Sequence, residues 1–199
     1  FGKIIYDIDT HGIGFVGLSP SAPLCKDGIT LNDVDFRACC NSTIRILGEK
    51  NRTTPPIFGD NPNPIELNSG EFFHSSFGPT VKSGYKLRVR NYLSAVADKH
   101  SVDLNDLIDA VLDSLQLNGH HGAVLVYADL WVKANDPNQQ CWECSGCGRI
   151  HWHKSSGICM RCYRDLPNDP NGKTAREIKA NHYYTQAALT ANSIRLHTE

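Results

Sequence analysis

The stretch that decides how this chain is read is CWECSGCGRIHWHKSSGICMRCYRDL, from Cys141 to Leu166. Five of the chain's eight cysteines stand between positions 141 and 162. Four of them form two Cys-x-x-Cys pairs, Cys144/Cys147 and Cys159/Cys162, with eleven residues between. A Cys-x-x-Cys turn brings two thiolates to one side, so two such turns can surround one ion with four sulfurs at about 2.3 Å. Gly148 follows the first pair, where such a turn needs a positive φ. The residues between the pairs, RIHWHKSSG, have the pattern of a β-hairpin, which completes the outline of a zinc ribbon. The reading is one structural Zn²⁺ held by Cys144, Cys147, Cys159 and Cys162. An iron–sulfur cluster also takes four cysteines, but the ribbon spacing favours zinc. A closed Cys₄ shell leaves no open position for catalysis. Cys141 reads as a bystander, and His151 and His153, which flank Trp152, read first as surface residues. Both histidines also stay open as supporting donors or nucleic-acid contacts.

Around this stretch the basic residues run without an acid from Arg149 to Arg164. Arg149, His151, Trp152, His153, Lys154 and Arg161 make up the candidate nucleic-acid contact, with Tyr163 beside them, because cations and exposed rings suit phosphates and bases. Lys82, Lys86, Arg88 and Arg90 form a weaker basic cluster. The formal net charge of the 199 residues is −1, so any electrostatic case for nucleic acid has to be local.

Working outward, residues 3–8 and 13–18 are β-rich runs around Thr10-His11-Gly12 and predict a hairpin. A helix is expected from Leu31 to Leu47, capped by Asn32 or Asp33, with Val34, Ala38 and Leu47 among its apolar positions. Residues 48–70 carry four prolines and read as a loop. Between Tyr85 and Gly119 two apolar stripes predict two helices. The first holds Leu87, Tyr92, Leu93, Val96 and Ala97; the second holds Leu104, Leu107, Ile108, Val111, Leu112 and Leu115, with Asp103 as cap and Asn118-Gly119 as stop. Asp103, Asp106, Asp109 and Asp113 fall on a solvated face. AVLVYADLWV, 123–132, reads as a buried strand, Asp136-Pro137-Asn138 as a turn, and Thr174 to Thr190 as a helix with a Thr174/Glu177 capping box. The chain ends in a short β-like run, SIRLHTE.

The fold class that follows is α+β: an accessory domain over 1–135, with a winged-helix-like option for 85–132, then a zinc ribbon with a trailing helix over 136–199. Eight cysteines in a chain long enough for an ordinary core, clustered and without a secretory leader, point to metal in a reducing, cytoplasmic setting. Asn41-Ser42-Thr43 therefore carries no weight as a glycosylation acceptor. No apolar run reaches the roughly 18 residues that span a bilayer, so no membrane partner is expected. The composition leaves the oligomeric state open. The chain lacks an initiator Met, which suggests a piece of a larger parent.

Two nucleotide motifs fail on context. Gly12-x-Gly14-x-x-Gly17 is followed by LSPSAP rather than by a helix, and Gly172-Lys173-Thr174 has Pro167 where a phosphate loop needs its first glycine. Neither H-E-x-x-H nor G-x-S-x-G occurs. The chain is not expected to be an enzyme.

The run from Trp142 to Pro167, then NGKTAREIKANHYYT and SIRLHTE, resembles the region before the second motor lobe of large bacterial superfamily 2 (DEAD/DEAH-box-like) helicases. Several of those belong to anti-phage defence islands. In that family a C-x-x-C…H-x-H…S-G-x-C-x-x-C ribbon precedes a helix with an Asn-x-Tyr-Tyr-like segment and an Arg-Leu-His/Asn-x-Glu element. The resemblance covers Cys144, Cys147, His151, His153, Gly157, Cys159 and Cys162, then Asn181, Tyr183 and Tyr184, and finally Arg195, Leu196, His197 and Glu199. It spans roughly the last third of the chain. The Walker A loop, DExD/H box and arginine-finger motif are missing. The resemblance thus implies an accessory piece of an ATP-dependent helicase, with the motor lobes of the parent and DNA or RNA as partners. The rival reading is a protein–protein interaction module built on the same structural zinc.

Overall fold

The computed structural model describes residues 8–48, 86–115 and 130–181. It is a mixed α and β structure with small antiparallel sheets and a four-cysteine cluster. In chain order the elements are β1 (Gly14–Leu18), α1 (Asp33–Gly48), α2 (Lys86–His100), α3 (Leu104–Ser114), β2 (Leu130–Ala134), β3 (Trp142–Glu143), β4 (Ile150–His151), a 3₁₀ turn (Ser155–Gly157) and α4 (Ala175–Ala180).

Helix α1 is the centre of the molecule. Asn32 starts it, its Oδ1 accepting from the Asp35 amide at 2.9 Å, and Asp33 and Asp35 oppose the positive end of the helix dipole. From Ala38 to Leu47 every residue is buried. A helix covered on all sides needs partners for its polar side chains, and these have them. Asn41 Oδ1 accepts from the Leu18 amide at 2.8 Å, Ser42 Oγ meets Ser155 Oγ at 2.6 Å, and Thr43 Oγ1 donates to the Cys39 carbonyl at 3.0 Å. Arg45 pairs with Asp9, both almost wholly enclosed. One expected core position differs: Val34 is 79 % exposed, because the first turn of α1 projects beyond the elements that wrap the rest.

Helices α2 and α3 pack on α1 through the predicted stripes. Tyr92, Leu93, Val96 and Ala97 of α2, with Leu107, Ile108 and Val111 of α3, join Phe36, Ile44 and Leu47 in one apolar cluster. Asp103 caps α3 by accepting from the amides of Asn105 and Asp106, and the four aspartates of its outer face are exposed. Of the expected loop over 48–70, Gly48 ends α1, and residues 49–70, the stop at Asn118-Gly119, strand residues 123–129 and the closing β-like run lie outside the described residues.

Of the expected N-terminal hairpin, residues 3–7 lie outside the described residues. Ile8, expected to end the first strand, is helical with Asp9 and Thr10, and β1 pairs antiparallel with β2, Gly14 opposite Ala134 and Leu18 opposite Leu130. Local sequence signals a strand but not its distant partner. Within the described part of the strand expected at 123–132, β2 extends to Ala134, and it is not buried there: Trp131 and Val132 are 53 % and 52 % exposed. A two-stranded ribbon packed on one helix covers only part of its surface. Gly14 and Gly17 lie in β1 and Gly12 at φ +71° before it, so the three glycines serve a turn and close strand packing. A wing belonging to 116–129 would lie outside the described residues.

Candidate metal centre

Each Cys-x-x-Cys pair lies at the tip of its own small hairpin. Cys144–Cys147 sits between β3 and β4, where Trp142 faces His151 and Glu143 faces Ile150. Cys159–Cys162 sits between Ile158 and Asp165, which form a single antiparallel bridge. The expectation of one hairpin between the pairs is therefore corrected: past β4 the chain turns through the 3₁₀ segment Ser155–Gly157 instead.

The two tips are copies of one another. The Cys144 amide donates to the Arg149 carbonyl at 2.9 Å, and the Cys159 amide to the Arg164 carbonyl at 2.8 Å. The Gly148 amide donates to the Cys144 carbonyl at 2.8 Å, and the Tyr163 amide to the Cys159 carbonyl at 2.9 Å. Both residues after the second cysteine are left-handed, Gly148 at φ +65° and Tyr163 at φ +62°. The sequence carries this duplication as Cys-x-x-Cys-x-Arg at 144–149 and 159–164, with tyrosine where glycine is the easier choice.

The tips face each other, and the ligand atoms of Cys144, Cys147, Cys159 and Cys162 all lie within 4.8 Å of one another. Across the pair, Cys144 Sγ is 3.5 Å from Cys162 Sγ, and Cys147 Sγ is 3.6 Å from Cys159 Sγ. Four sulfurs tetrahedral about an ion at about 2.3 Å would be about 3.8 Å apart, so the group fits a tetrahedral metal. Burial holds the Cys159 and Cys162 thiols above their ordinary range. Burial also opposes ionisation of Cys144, yet the amides of Gly146 and Cys147 and the neighbouring thiols bring it down to about 7. Metal binding at such a set displaces protons.

Cys141, His151 and His153 stand outside this group. Cys141 is fully buried with Phe15, Trp152 and Ala175, and its Sγ lies 2.5 Å from where a β-carbon on Gly172 would stand. Gly172 therefore serves close packing. Cys39 and Cys40 are buried in α1, where burial pushes Cys40 up to about 12, so both are inert.

The basic tip changes character in three dimensions. His151, expected at the surface, is 1 % exposed, His153 is half-buried, and Trp152, offered as a nucleic-acid contact, is 3 % exposed. Trp152 Nε1 donates to the Asp9 carbonyl at 2.8 Å, and the His153 ring stacks obliquely on Phe15 at 4.9 Å. Burial first, then the charges of His153, Arg149 and Arg45, lower His151 to about 3; burial, Lys133 and Arg45 lower His153 to about 4. His153 Nδ1 accepts from the Ser155 amide, as a neutral ring can. Arg149 and Lys154 are half-buried and Arg161 is exposed. The alternation that would put two histidines on one open strand face fails because β4 ends at His151 and the next turn is driven into the core.

That turn ties the cysteine cluster to the helices. Tyr92 Oη donates to the Ser155 carbonyl at 3.1 Å, Ser156 Oγ to the Asp35 carbonyl at 2.5 Å, and His100 Nε2 lies 3.0 Å from the Ser156 carbonyl. Lys99 pairs with Asp165, and Ile158 and Met160 belong to the same apolar cluster as α1, α2 and α3.

Comparison with known proteins returns no match. No protein-family model fits the chain, and neither a curated protein nor a solved structure matches it. The structure itself supports a four-cysteine group suited to a structural metal, positioned by duplicated knuckles. Among the described residues, no helix is long and apolar enough to cross a membrane.

Proposed function

We propose that this chain is a zinc-binding accessory region of a DEAD/DEAH-box-like helicase of the bacterial defence-island type, working in the cytoplasm beside that parent's motor lobes. Its role is to hold architecture and to engage DNA or RNA. The observation that carries the metal part is the convergence of four thiols within 4.8 Å from two matching knuckles. An all-sulfur, closed set suits Zn²⁺ in a structural role, where the ion contributes folding energy rather than chemistry. The helicase part is supported by the resemblance of the last third of the chain. No phosphate loop appears in the sequence, so ATP hydrolysis belongs to the parent.

Elemental analysis of the purified chain tests the metal, with Cys159→Ser beside it. One zinc per chain, lost in the variant, is the expected result; iron or no metal would overturn it. Binding of single-stranded DNA and RNA at two salt concentrations tests the engagement, since phosphate contacts weaken steeply with salt. A zinc-loaded chain with no affinity for either would leave the protein–protein interaction module as the better reading.

A further inference from the structure

With His151 and Trp152 enclosed, the ribbon tip lacks the exposed ring a nucleobase needs, and β2, where the β1–β2 sheet meets α1, supplies one in Trp131. Side chains two apart on a strand share a face, so Trp131 and Lys133 of β2 lie together. Across the sheet, Phe15 is opposite Lys133 and Gly17 opposite Trp131. A β-carbon on Gly17 would come within 2.5 Å of Asn41 Oδ1, so the glycine lets α1 approach the strand closely. Beside this contact lies a cleft of about 200 Å³ lined by Phe15, Gly17, Arg37, Asn41, Trp131 and Lys133, together with Leu18 and Pro20.

Among the described residues, the lining has two cations, Arg37 and Lys133, and no carboxylate. Arg37 is held in place by donating to the Ser19 carbonyl at 2.7 Å and the Ala22 carbonyl at 3.0 Å, both neutral acceptors that leave its charge uncancelled. The Lys133 ammonium lies 5.9 Å from the centre of the Phe15 ring. The Trp131 side chain stands 53 % exposed at the rim, where an indole can offer a ring to a ligand.

We propose that this cleft binds one nucleotide of a single-stranded nucleic acid, its base stacked on Trp131 and its phosphate held by Lys133 and Arg37. A duplex hides the faces of its bases, whereas a single strand offers them. The cleft is smaller than the roughly 300–1,000 Å³ of small-molecule sites, which suits one unit of a longer ligand. An acidic peptide would satisfy the cations but not the indole. The inference rests on the proposed engagement of nucleic acid and locates it away from the metal.

The test uses the full 199-residue, zinc-loaded chain and fluorescein-labelled oligothymidylate and oligouridylate of about a dozen nucleotides, followed by anisotropy. Trp131→Ala is expected to weaken binding about 5- to 100-fold, the range of one lost base–aromatic stack. Trp131→Phe should recover part of that, and Lys133→Glu should weaken binding most at low salt. Metal content and circular dichroism establish that each variant is folded. If Trp131→Ala binds like the parent while the double variant Arg149→Glu, Arg161→Glu does not, the cleft is overturned and engagement through the ribbon stands. If the unaltered chain binds neither oligonucleotide, both readings fall. Polyglutamate competing as well as either oligonucleotide would show a plain anion patch and overturn the base-stacking site.

Discussion

His151 is enclosed to 99 % of its surface, and neither ring nitrogen has a hydrogen-bond partner among the described residues. A buried unsatisfied donor costs about 1–3 kcal/mol. His151→Leu is therefore expected to raise stability in a denaturant titration at pH 7; a loss above the cost of reshaping the site would show that the ring has a structural task. The same residue has a pH signature. Its folded pKa is depressed to about 3 against an ordinary 6.5, so the unfolded chain takes up the proton first as pH falls. Its contribution is intact above pH 6.5 and is lost progressively as pH falls, by about 3 kcal/mol at pH 4.5 and about 4 kcal/mol at pH 3. The His151→Leu variant should show a shallower fall over that window, and parallel curves would refute the depressed value. Gly148 offers a cleaner backbone test. Nothing lies within 4 Å of a β-carbon built on it, so Gly148→Ala meets only the strain of φ +65° and should cost about 1–2 kcal/mol in thermal unfolding.

Among the elements, the helices were legible because their signals are local. The Asp103 cap, the apolar stripe of α3 and the Thr174/Glu177 capping box all appear in the structure, the last with both of its reciprocal bonds. Asp103→Ala should lower stability by about 1 kcal/mol, read as a shifted midpoint with unchanged slope in urea. The strands were less legible. β1 and β2 were placed, but their pairing joins residues about 120 positions apart, and nothing in either run names the other. The two cysteine hairpins are the converse case. Their copied Cys-x-x-Cys-x-Arg pattern was in the sequence, yet the hairpin was expected between the pairs because RIHWHKSSG alternates like a strand.

At the scale of the whole molecule, the cysteine cluster and the helices share one apolar core through Ile158 and Met160, and Ser155 bonds into α1 and α2. Stripping the metal should thus destabilise the helices as well as the ribbon. Far-ultraviolet circular dichroism and tryptophan fluorescence are expected to report a single transition that moves down in temperature when a chelator is added. Two separate transitions, only one of them metal-dependent, would contradict that coupling. The sequence alone determined the four clustered thiols and the capped helices, because spacing, caps and periodicity act over a few residues. Tertiary structure alone decided that His151 and Trp152 are buried, that α1 is covered on every side from Ala38 to Leu47, and that Trp131 remains open beside two cations. Those outcomes depend on which distant surfaces meet, and burial is a property of the meeting rather than of the residue.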